Sequence, residues 1–248
     1  MRKKIKHHLM PFKSIFILGG TSEIANELCL KFAQMGTKRI HLVSKDQHKQ
    51  ILSIKKLSNY HDLKITYEVV DLLSFNLEKR PKIEFFDLYI ICAGYLGDSN
   101  IARYDNYEAY KIARINYFAL IPWINSITCD KRIAKSGALW IFSSVAMEIG
   151  RPSNYHYGAA KAALTIFSEG LFHRCHNKPF KIRILKTGLV DTSMSKNKAP
   201  RFLFSKKEDI VNKLVKTPYK EGIEYLPRWW FIVIKIVSIL PRCVIAKL

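Results

Sequence analysis

Tyr157 and Lys161 are the two side chains of this 248-residue chain whose types and spacing most directly indicate chemistry. They are four residues apart, so on a helix they lie on one face, one turn from each other. A tyrosine, whose unperturbed pKa is about 10, can exchange a proton with a carbonyl oxygen when a neighbouring cation lowers that pKa. Lys161 supplies the cation, so the pair predicts acid–base catalysis of hydride transfer to or from a carbonyl group.

Two serines before Tyr157 add a hydroxyl group to this candidate site. Ser143 ends an apolar run, residues 137–143, that predicts a buried strand, and Ser144 follows it. Ser144, thirteen residues before Tyr157, is better placed than Ser143 to orient a carbonyl oxygen. A Tyr-x-x-x-Lys spacing alone occurs by chance in many helices, so the strand and the hydroxyl before it carry much of the prediction.

The elements that position these residues alternate between short apolar runs and longer helical patterns. Strands are predicted at residues 14–19, 39–44, 64–71, 87–94, 137–143 and 181–187. A single long helix is predicted over residues 106–128, another over residues 155–175, and a mobile loop with a short helix over residues 193–220. This order predicts an α/β fold with a doubly wound, mostly parallel sheet of the Rossmann type.

The chain reads as one domain with two unlike ends. We expect a basic tail at residues 1–12, the Rossmann-type domain at residues 13–226 and an apolar C-terminal segment at residues 227–248. The apolar run at residues 229–240 is shorter than the roughly 20 residues that a membrane span needs. Its tryptophans and flanking arginines fit a helix that lies in a membrane interface, the alternative being a helix packed on the domain or on a partner subunit.

The first turn between strand and helix predicts a nucleotide site, because ligands of such sheets bind beyond the carboxyl ends of the strands. Two glycines allow a tight turn close to a pyrophosphate, and the helix N-terminus then offers free N–H groups to that anion. The predicted contacts are Gly19, Thr21, Ser22, Glu23 and Ile24. Glu23 and Ala25 stand where further glycines are usual, which favours a rival hypothesis, a catalytically silent nucleotide-binding scaffold or sensor.

The end of the second strand bears on the choice of cofactor. A carboxylate there would bind the ribose 2′-hydroxyl and favour NAD. The chain has Ser44 and Lys45 instead, and Lys45 can pair with a 2′-phosphate, so NADP(H) is preferred and NAD(H) stays open. Asp71 closes the third predicted strand, where it can meet the adenine edge or cap the next turn.

These motifs together resemble the short-chain dehydrogenase/reductase family over residues 14–192. The turn at residues 92–94 resembles the family's Asn-Ala-Gly turn with cysteine first, and Thr187-Gly188 resembles its Pro-Gly turn. The resemblance implies that Tyr157 is the acid/base, Lys161 lowers its pKa and holds ribose, and Ser144 orients the carbonyl. It further implies a homo-oligomer and roles for the following residues: Asn116 in holding a water of a proton relay, and Ala93, Gly94, Val190 and Thr192 in holding the cofactor.

A narrower resemblance concerns the first turn and the C-terminus. The turn at residues 19–24, the Tyr225-Leu226-Pro227 segment, the tryptophan-rich run and Leu240-Pro241-Arg242 are similar to the keto-reductase of the decaprenylphosphoryl-ribose 2-epimerase system. That similarity implies a lipid-linked keto-sugar as substrate.

Charge and cysteine usage bound the partners. With 41 basic and 20 acidic residues the formal net charge is +21, which attracts nucleic acid, anionic membranes or phosphorylated substrates, or simply makes a solvated basic surface. No nucleic-acid-binding module is recognisable and the basic residues are spread along the chain, so we expect no nucleic-acid partner. The five cysteines form no C-x-x-C pair, which predicts no metal site and a reducing, cytoplasmic location. Peripheral contact with the inner face of the membrane is expected from the apolar C-terminus.

Overall fold

Apolar side chains of the central strands alternate between two hydrophobic cores, one on each face of a seven-stranded sheet. The computed structural model describes residues 12–130, 136–195 and 199–247. All neighbouring strands are parallel, in the order β3-β2-β1-β4-β5-β6-β7. The strands are β1 (Ser14–Leu18), β2 (Arg39–Ser44), β3 (Lys64–Val69), β4 (Leu88–Ile91), β5 (Ala138–Ser144), β6 (Lys181–Thr187) and β7 (Gly222–Leu226).

Helices cover both faces, which confirms the predicted doubly wound α/β fold. Leu28 of the first helix packs in one core, and Trp123 and Leu164 of two later helices pack in the other. The helices are α1 (Glu23–Gln34), α2 (Gln47–Lys55), α3 (Ser99–Ala102), α4 (Asn106–Asn116), α5 (Ile121–Cys129), α6 (Tyr155–Arg174), α7 (Lys207–Lys216), α8 (Trp230–Ser238) and α9 (Arg242–Ile245).

The prediction of one long helix over residues 106–128 is wrong. Helix α4 ends at Asn116 because Tyr117 leaves the helical conformation, with φ −140° and ψ −71°. A short 3-10 turn follows, and α5 begins with Pro122 in its first turn, where the missing N–H costs nothing. The Asn116 side chain stabilises the break, because it bonds to the backbone of Tyr95 rather than to solvent.

The short helix predicted within residues 193–220 is present as α7. Helix α7 buries Ile210, Val211, Leu214 and Val215 in the same core as α1. A seventh strand, β7, follows it and pairs with β6, although the sequence analysis assigned no strand there. This strand is short, with five residues, and carries Glu224 at its centre, so its pattern alone gives little indication of a strand.

The two ends of the chain differ in how they meet the domain. Residues 1–11 of the predicted basic tail lie outside the described residues, but Phe12 is buried and packs against Phe32 and Trp140, so the described fold begins one residue before the predicted boundary. At the other end, α8 buries Trp230, while most of its other residues are exposed. In the part of the chain that the structure describes, no helix has the length and hydrophobicity to cross a membrane.

Candidate active site

The site lies at the carboxyl ends of β1 and β4, where the strand order reverses and where such sheets bind their ligands. Gly19 has φ +96°, and a Cβ atom there would lie 2.4 Å from the backbone nitrogen of Ala93. Only glycine therefore lets the turn after β1 contact the turn after β4. The N–H groups of Gly19 and Gly20 both donate to the carbonyl of Val43, at 2.8 and 3.1 Å, which fixes this turn against β2.

A cavity of about 500 Å³ opens beside this turn. Nearly all the residues that were predicted to contact the cofactor line it: Gly19, Thr21, Ser22, Glu23, Ile24, Lys45, Asp71, Ala93, Gly94, Tyr157, Lys161 and Thr192. Val190 is not among the lining residues, because its side chain is buried in the core and its carbonyl accepts a hydrogen bond from the Thr192 hydroxyl at 3.4 Å. The spacing arguments thus brought together residues from six different parts of the chain around one space.

The predicted catalytic pair lies at one end of the cavity, with Ser144 beside it. Lys161 is buried and its Nζ donates to the carbonyl of Phe142 at 3.1 Å, while lying 5.8 Å from the centre of the Tyr157 ring. Tyr157 is hydrogen-bonded to the side chain of Ser144. Ser143 instead bonds to the Thr165 hydroxyl at 2.6 Å and holds α6 against β5. Ser143 is among the residues that line the cavity and Ser144 is not, although Ser144 is bonded to Tyr157 and its Oγ accepts from the N–H of Ala146 at 3.1 Å. The role of Ser144 in orienting a carbonyl oxygen therefore stays a prediction.

The pKa values of the pair differ from what spacing alone predicts. Burial raises the pKa of Tyr157 to about 12, although the bond with Ser144 acts in the opposite direction. Burial also lowers the pKa of Lys161 to about 8. The expectation that Lys161 brings the pKa of Tyr157 toward neutrality is not met in this arrangement, because burial of the phenol outweighs its hydrogen bond with Ser144. At neutral pH Tyr157 keeps its proton and Lys161 is largely cationic, a pair suited to donating a proton.

Asn116 is fully buried beneath the cavity and its amide is engaged within the protein. Its Nδ2 donates to the carbonyls of Tyr95 at 2.6 Å and Ile112 at 2.8 Å, and its Oδ1 accepts from the N–H of Tyr95 at 3.1 Å. A Cβ on Gly94 would lie 3.1 Å from the Asn116 oxygen and 3.6 Å from Lys161 Nζ, so the glycine separates the two. Asn116 therefore positions the turn after β4, and its role in holding a water stays a prediction.

The opposite end of the cavity carries the residues that were predicted to choose the cofactor. Lys45 Nζ lies 3.9 Å from an oxygen of Asp71, whose other oxygen accepts from the N–H of Leu73 at 2.9 Å. The turn-capping alternative for Asp71 is therefore present in the structure. Ser44, which the sequence analysis named without a role, also lines the cavity, and its buried hydroxyl has no hydrogen-bond partner among the described residues.

Glu23 contacts the loop after β6 as well as the cavity. Its carboxylate accepts from the N–H of Ser193 at 2.7 Å and from Lys207 Nζ at 3.3 Å. Burial acts to raise the pKa of Glu23, but these hydrogen bonds outweigh it and the net pKa is lowered. The side chain that stands at a usual glycine position thus links the start of α1 to the start of α7.

Three interacting groups near the cavity were missed by the sequence analysis. Tyr95 and Lys111 line the cavity, and Lys111 Nζ donates to the Tyr95 hydroxyl at 3.0 Å. The same hydroxyl donates to Glu108 at 2.8 Å. The one sequence signal was weak: Lys111 lies one helical turn before Ile115, another lining residue, but nothing separates it from a surface lysine.

Cys92 replaces asparagine in the turn after β4 without losing a contact to the first turn. Its Sγ donates to the carbonyls of Leu18 and Gly19, at 3.5 Å each. Burial raises the pKa of the thiol to about 12, so it is a neutral donor. Within the described residues no group of His, Cys, Asp or Glu side chains is arranged to hold a metal ion.

A doubly wound parallel sheet with a serine, a tyrosine and a lysine beside a cleft at its switch point defines a Rossmann-type oxidoreductase. The family model described as short chain dehydrogenase matches residues 13–201, and the chain belongs to that family. The prediction of an NAD(P)-dependent short-chain dehydrogenase/reductase is thereby confirmed at the level of the family.

The individual relatives of this chain have low sequence identity to it. The chain is 33% identical over 111 residues to an uncharacterized oxidoreductase of Mycobacterium tuberculosis, a match that spans 45% of either chain. It is 24% identical over 195 residues to the 3-oxoacyl-acyl-carrier-protein reductase of Chlamydia muridarum, covering 76% of this chain and 78% of that one. A short-chain dehydrogenase of Escherichia coli, solved with NADPH, has the same fold, with a TM-score of 0.74, 18% identity, and coverage of 89% and 98%.

Proposed function

We propose that the protein interconverts a carbonyl and an alcohol by hydride transfer with NADP(H). The observation that carries this proposal is that Tyr157, which is bonded to Ser144, and the buried Lys161 line the same cavity as Ser44 and Lys45. A silent scaffold on the same fold, the runner-up, would have no need of a phenol hydrogen-bonded to Ser144 above a buried ammonium.

Each residue of the site has a separate role in the proposed reaction. When bound, the nicotinamide supplies the hydride for reduction or accepts it for oxidation. Ser144 donates a hydrogen bond that holds the substrate oxygen at the Tyr157 hydroxyl. Tyr157 then delivers its proton to that oxygen as negative charge develops there, and Lys161 stabilises the phenolate that remains. The reverse direction uses the same groups, with Tyr157 receiving the proton.

NADP(H) is preferred to NAD(H) because of the groups at the end of β2. The free buried hydroxyl of Ser44 and the ammonium of Lys45 together form the donor set that a phosphate prefers. Lys45 forms a long ion pair of 3.9 Å with Asp71, so a phosphate can compete for it. Structural neighbours were solved with NADPH and with NAD, so they support a nicotinamide dinucleotide, and the preference for NADP(H) rests on Ser44 and Lys45.

For the substrate we propose a small or lipid-linked carbonyl compound, with a lipid-linked or phosphorylated keto-sugar as the finer choice. The exposed apolar helix α8 beside the site and the net charge of +21 suit an apolar carrier with a phosphate. We further propose a cytoplasmic enzyme in peripheral contact with the inner face of the membrane. A homo-oligomer is supported by exposed aromatic residues around α4: Tyr104, Tyr107, Tyr110 and Phe118.

The test is NADPH oxidation with ketones and keto-sugars by the full chain and by Tyr157→Phe and Lys161→Ala variants. We expect a loss of roughly 10²–10⁴-fold in kcat for Tyr157→Phe, because general acid–base catalysis contributes about that much. Tyr155→Phe is the matched control, since it removes an exposed phenol two residues away and should leave the rate unchanged.

Cofactor titration by intrinsic fluorescence separates the two hypotheses. Saturable NADPH binding with turnover that depends on Tyr157 supports the enzyme. Saturable binding without turnover on any carbonyl supports the scaffold, and wild-type rates in both catalytic variants contradict the mechanism.

A further inference from the structure

Helix α8 presents apolar side chains to solvent along most of its length. Phe231, Ile232 and Ile236 are exposed, and Ile239, which follows the helix, is 81% exposed. A surface helix of a water-soluble domain normally buries such a stripe, and a contiguous exposed patch marks a place of contact. Among the described residues, Phe231 contacts Tyr225 at one edge of its ring, whereas Ile232, Ile236 and Ile239 stay more than half exposed.

The charge carried by the C-terminal segment itself is of one sign. The 24 residues from Tyr225 to Leu248 contain four basic residues, Arg228, Lys235, Arg242 and Lys247, and no acidic residue. The exposed Trp229 stands at the start of the helix, where indole rings favour the level of lipid headgroups. An apolar stripe flanked by basic residues and a tryptophan is complementary to an anionic lipid surface.

The base of α8 is fixed to the turn that follows β6. The indole of Trp230 fills the space above Gly188 so closely that a Cβ on the glycine would lie 1.8 Å from the indole nitrogen. Gly188 directly follows Thr187, which lines the cavity. The start of the helix therefore lies next to the substrate side of the site.

A second link joins α8 to the turn after Ser144. The rings of Phe231 and Tyr225 are in edge contact with centroids 5.4 Å apart. The Tyr225 hydroxyl donates to Glu148 at 2.5 Å, and Glu148 lies four residues after Ser144. The turn after β6 is thus in contact with Trp230 of α8, and the turn after β5 is connected to α8 through Tyr225.

We propose that α8 lies flat on an anionic bilayer surface, with Phe231, Ile232, Ile236 and Ile239 in the lipid, and so turns the substrate side of the site toward the membrane. Its nine residues span about 14 Å, against roughly 30 Å of hydrocarbon, so the helix rests on the bilayer rather than crossing it. An apolar carrier could then stay in the lipid while its carbonyl reaches Tyr157. This last consequence rests on the proposed function, but the docking itself does not.

The experiment is co-sedimentation of the full chain with vesicles of phosphatidylcholine, with or without phosphatidylglycerol. We expect binding to the anionic vesicles only, weakened by added salt. Ile236→Glu should lower the partition coefficient by about tenfold or more, since it removes an apolar side chain from the lipid and adds a negative charge. Ile101→Glu on α3 is the matched control, because Ile101 is 53% exposed and Ile236 is 54% exposed.

Three outcomes would overturn the docking proposal. Equal losses in both variants would assign binding to overall charge. Undiminished binding by Ile236→Glu would exclude α8 from the contact. A change in oligomeric mass on light scattering with Ile236→Glu, without a change in vesicle binding, would mean that a second copy covers the helix. Tyr157→Phe should bind vesicles like the wild type, so a failure of the catalytic proposal would not affect the docking result. Ile236→Glu should reduce a soluble ketone at the wild-type rate, so a failure of the docking proposal would not affect the catalytic result.

Discussion

Two regions of the sheet bury positive charge in opposite ways. In the catalytic region, the ammonium of Lys161 donates to the carbonyl of Phe142 and, among the described residues, has no salt bridge to a carboxylate. In the region of β6 and β7, the buried cations Arg183 and Lys186 each meet a glutamate, at 2.7 and 2.8 Å. The difference concerns the partner, because all three cations are less than one-tenth exposed.

The pairing around Arg183 is extensive. Glu224 accepts from Nε and Nη2 of Arg183 at 3.1 and 2.7 Å, and Arg183 Nη1 donates to the carbonyls of Leu214 and Thr217. Glu224 also meets Lys213 at 3.4 Å and Lys220 at 3.0 Å. One carboxylate therefore ties β6, β7 and α7 together.

This contrast separates structure from chemistry. A buried charge without a counter-charge destabilises the folded state, and burial moves its pKa toward the neutral form. Arg183 and Lys186, which connect secondary-structure elements, are each paired with a carboxylate. Lys161 has no such partner among the described residues, and in the proposed mechanism its ammonium must be available to stabilise the phenolate of Tyr157.

The largest effect is expected from breaking the paired side of the comparison with Glu224→Gln. Arg183 would keep its burial but lose its counter-charge, which costs about 3–5 kcal/mol in the free energy of unfolding. Urea unfolding measures this loss. Asp62→Asn is the control, because Asp62 and its partner Lys38 are both exposed and such pairs contribute about 0–1 kcal/mol. Equal losses in the two variants would contradict the distinction between buried and exposed pairs.

A smaller effect on the free energy of unfolding is expected in the catalytic region, where its pH dependence should show what the burial of Lys161 costs. The ammonium has a pKa of about 8 in the folded protein against about 10.4 for an unperturbed lysine, so between these values the unfolded chain binds more protons at this group. The contribution of Lys161 to stability should therefore rise with pH from 8 to 10, by up to about 1.4 kcal/mol per pH unit.

The reference for that measurement is Lys161→Met, which lacks the titrating group. Below pH 8 the variant should be more stable than the wild type, and the difference should shrink as the pH approaches 10. The raised pKa values of Tyr157 and of the buried thiols Cys29 and Cys92 also make stability depend on pH, but both proteins contain these groups, so their contribution cancels in the difference. A difference that stays constant between pH 8 and 10 would show that Lys161 is not desolvated.

The sequence was informative where structure depends on local patterns. The predicted strands at residues 39–44 and 181–187 match β2 and β6, because continuous apolar runs identify buried strands. The spacing of Tyr157 and Lys161 likewise placed both on one face of α6. These features depend on neighbours within a few residues of each other.

What the sequence could not predict depends on contacts between distant residues. The end of α4 depends on Asn116 bonding to Tyr95, 21 residues away. Strand β7 tolerates Glu224 because Arg183, 41 residues away, pairs with it. The raised pKa of Tyr157 follows from burial, which spacing does not report. Ser44 could be assigned a role only when its hydroxyl was seen to lack a partner in the cavity.

The smallest effect is expected from Glu148→Gln. The pair of Glu148 and Lys186 is less buried than the pair of Glu224 and Arg183, so it tests how the stabilisation depends on burial. Lys186 and Glu148 are 9% and 22% exposed as side chains, so water can replace part of what is lost. We expect a loss of about 1–2 kcal/mol in the free energy of unfolding, less than for Glu224→Gln. Tyr225→Phe removes the second donor to Glu148 and keeps the carboxylate, so it should cost less again.

The pH dependence of the Glu148→Gln effect identifies its electrostatic part. Burial acts to raise the pKa of Glu148, but the hydrogen bonds from Lys186 and Tyr225 outweigh it, so the folded pKa lies below that of an unperturbed glutamate. The carboxylate therefore contributes its stability above that value, and the contribution is lost as the pH falls through the folded pKa. The difference between wild type and variant should vanish in this acidic range. A difference that persists unchanged there would mean that Glu148 acts through packing, and that only the pair of Arg183 and Glu224 compensates charge in this region.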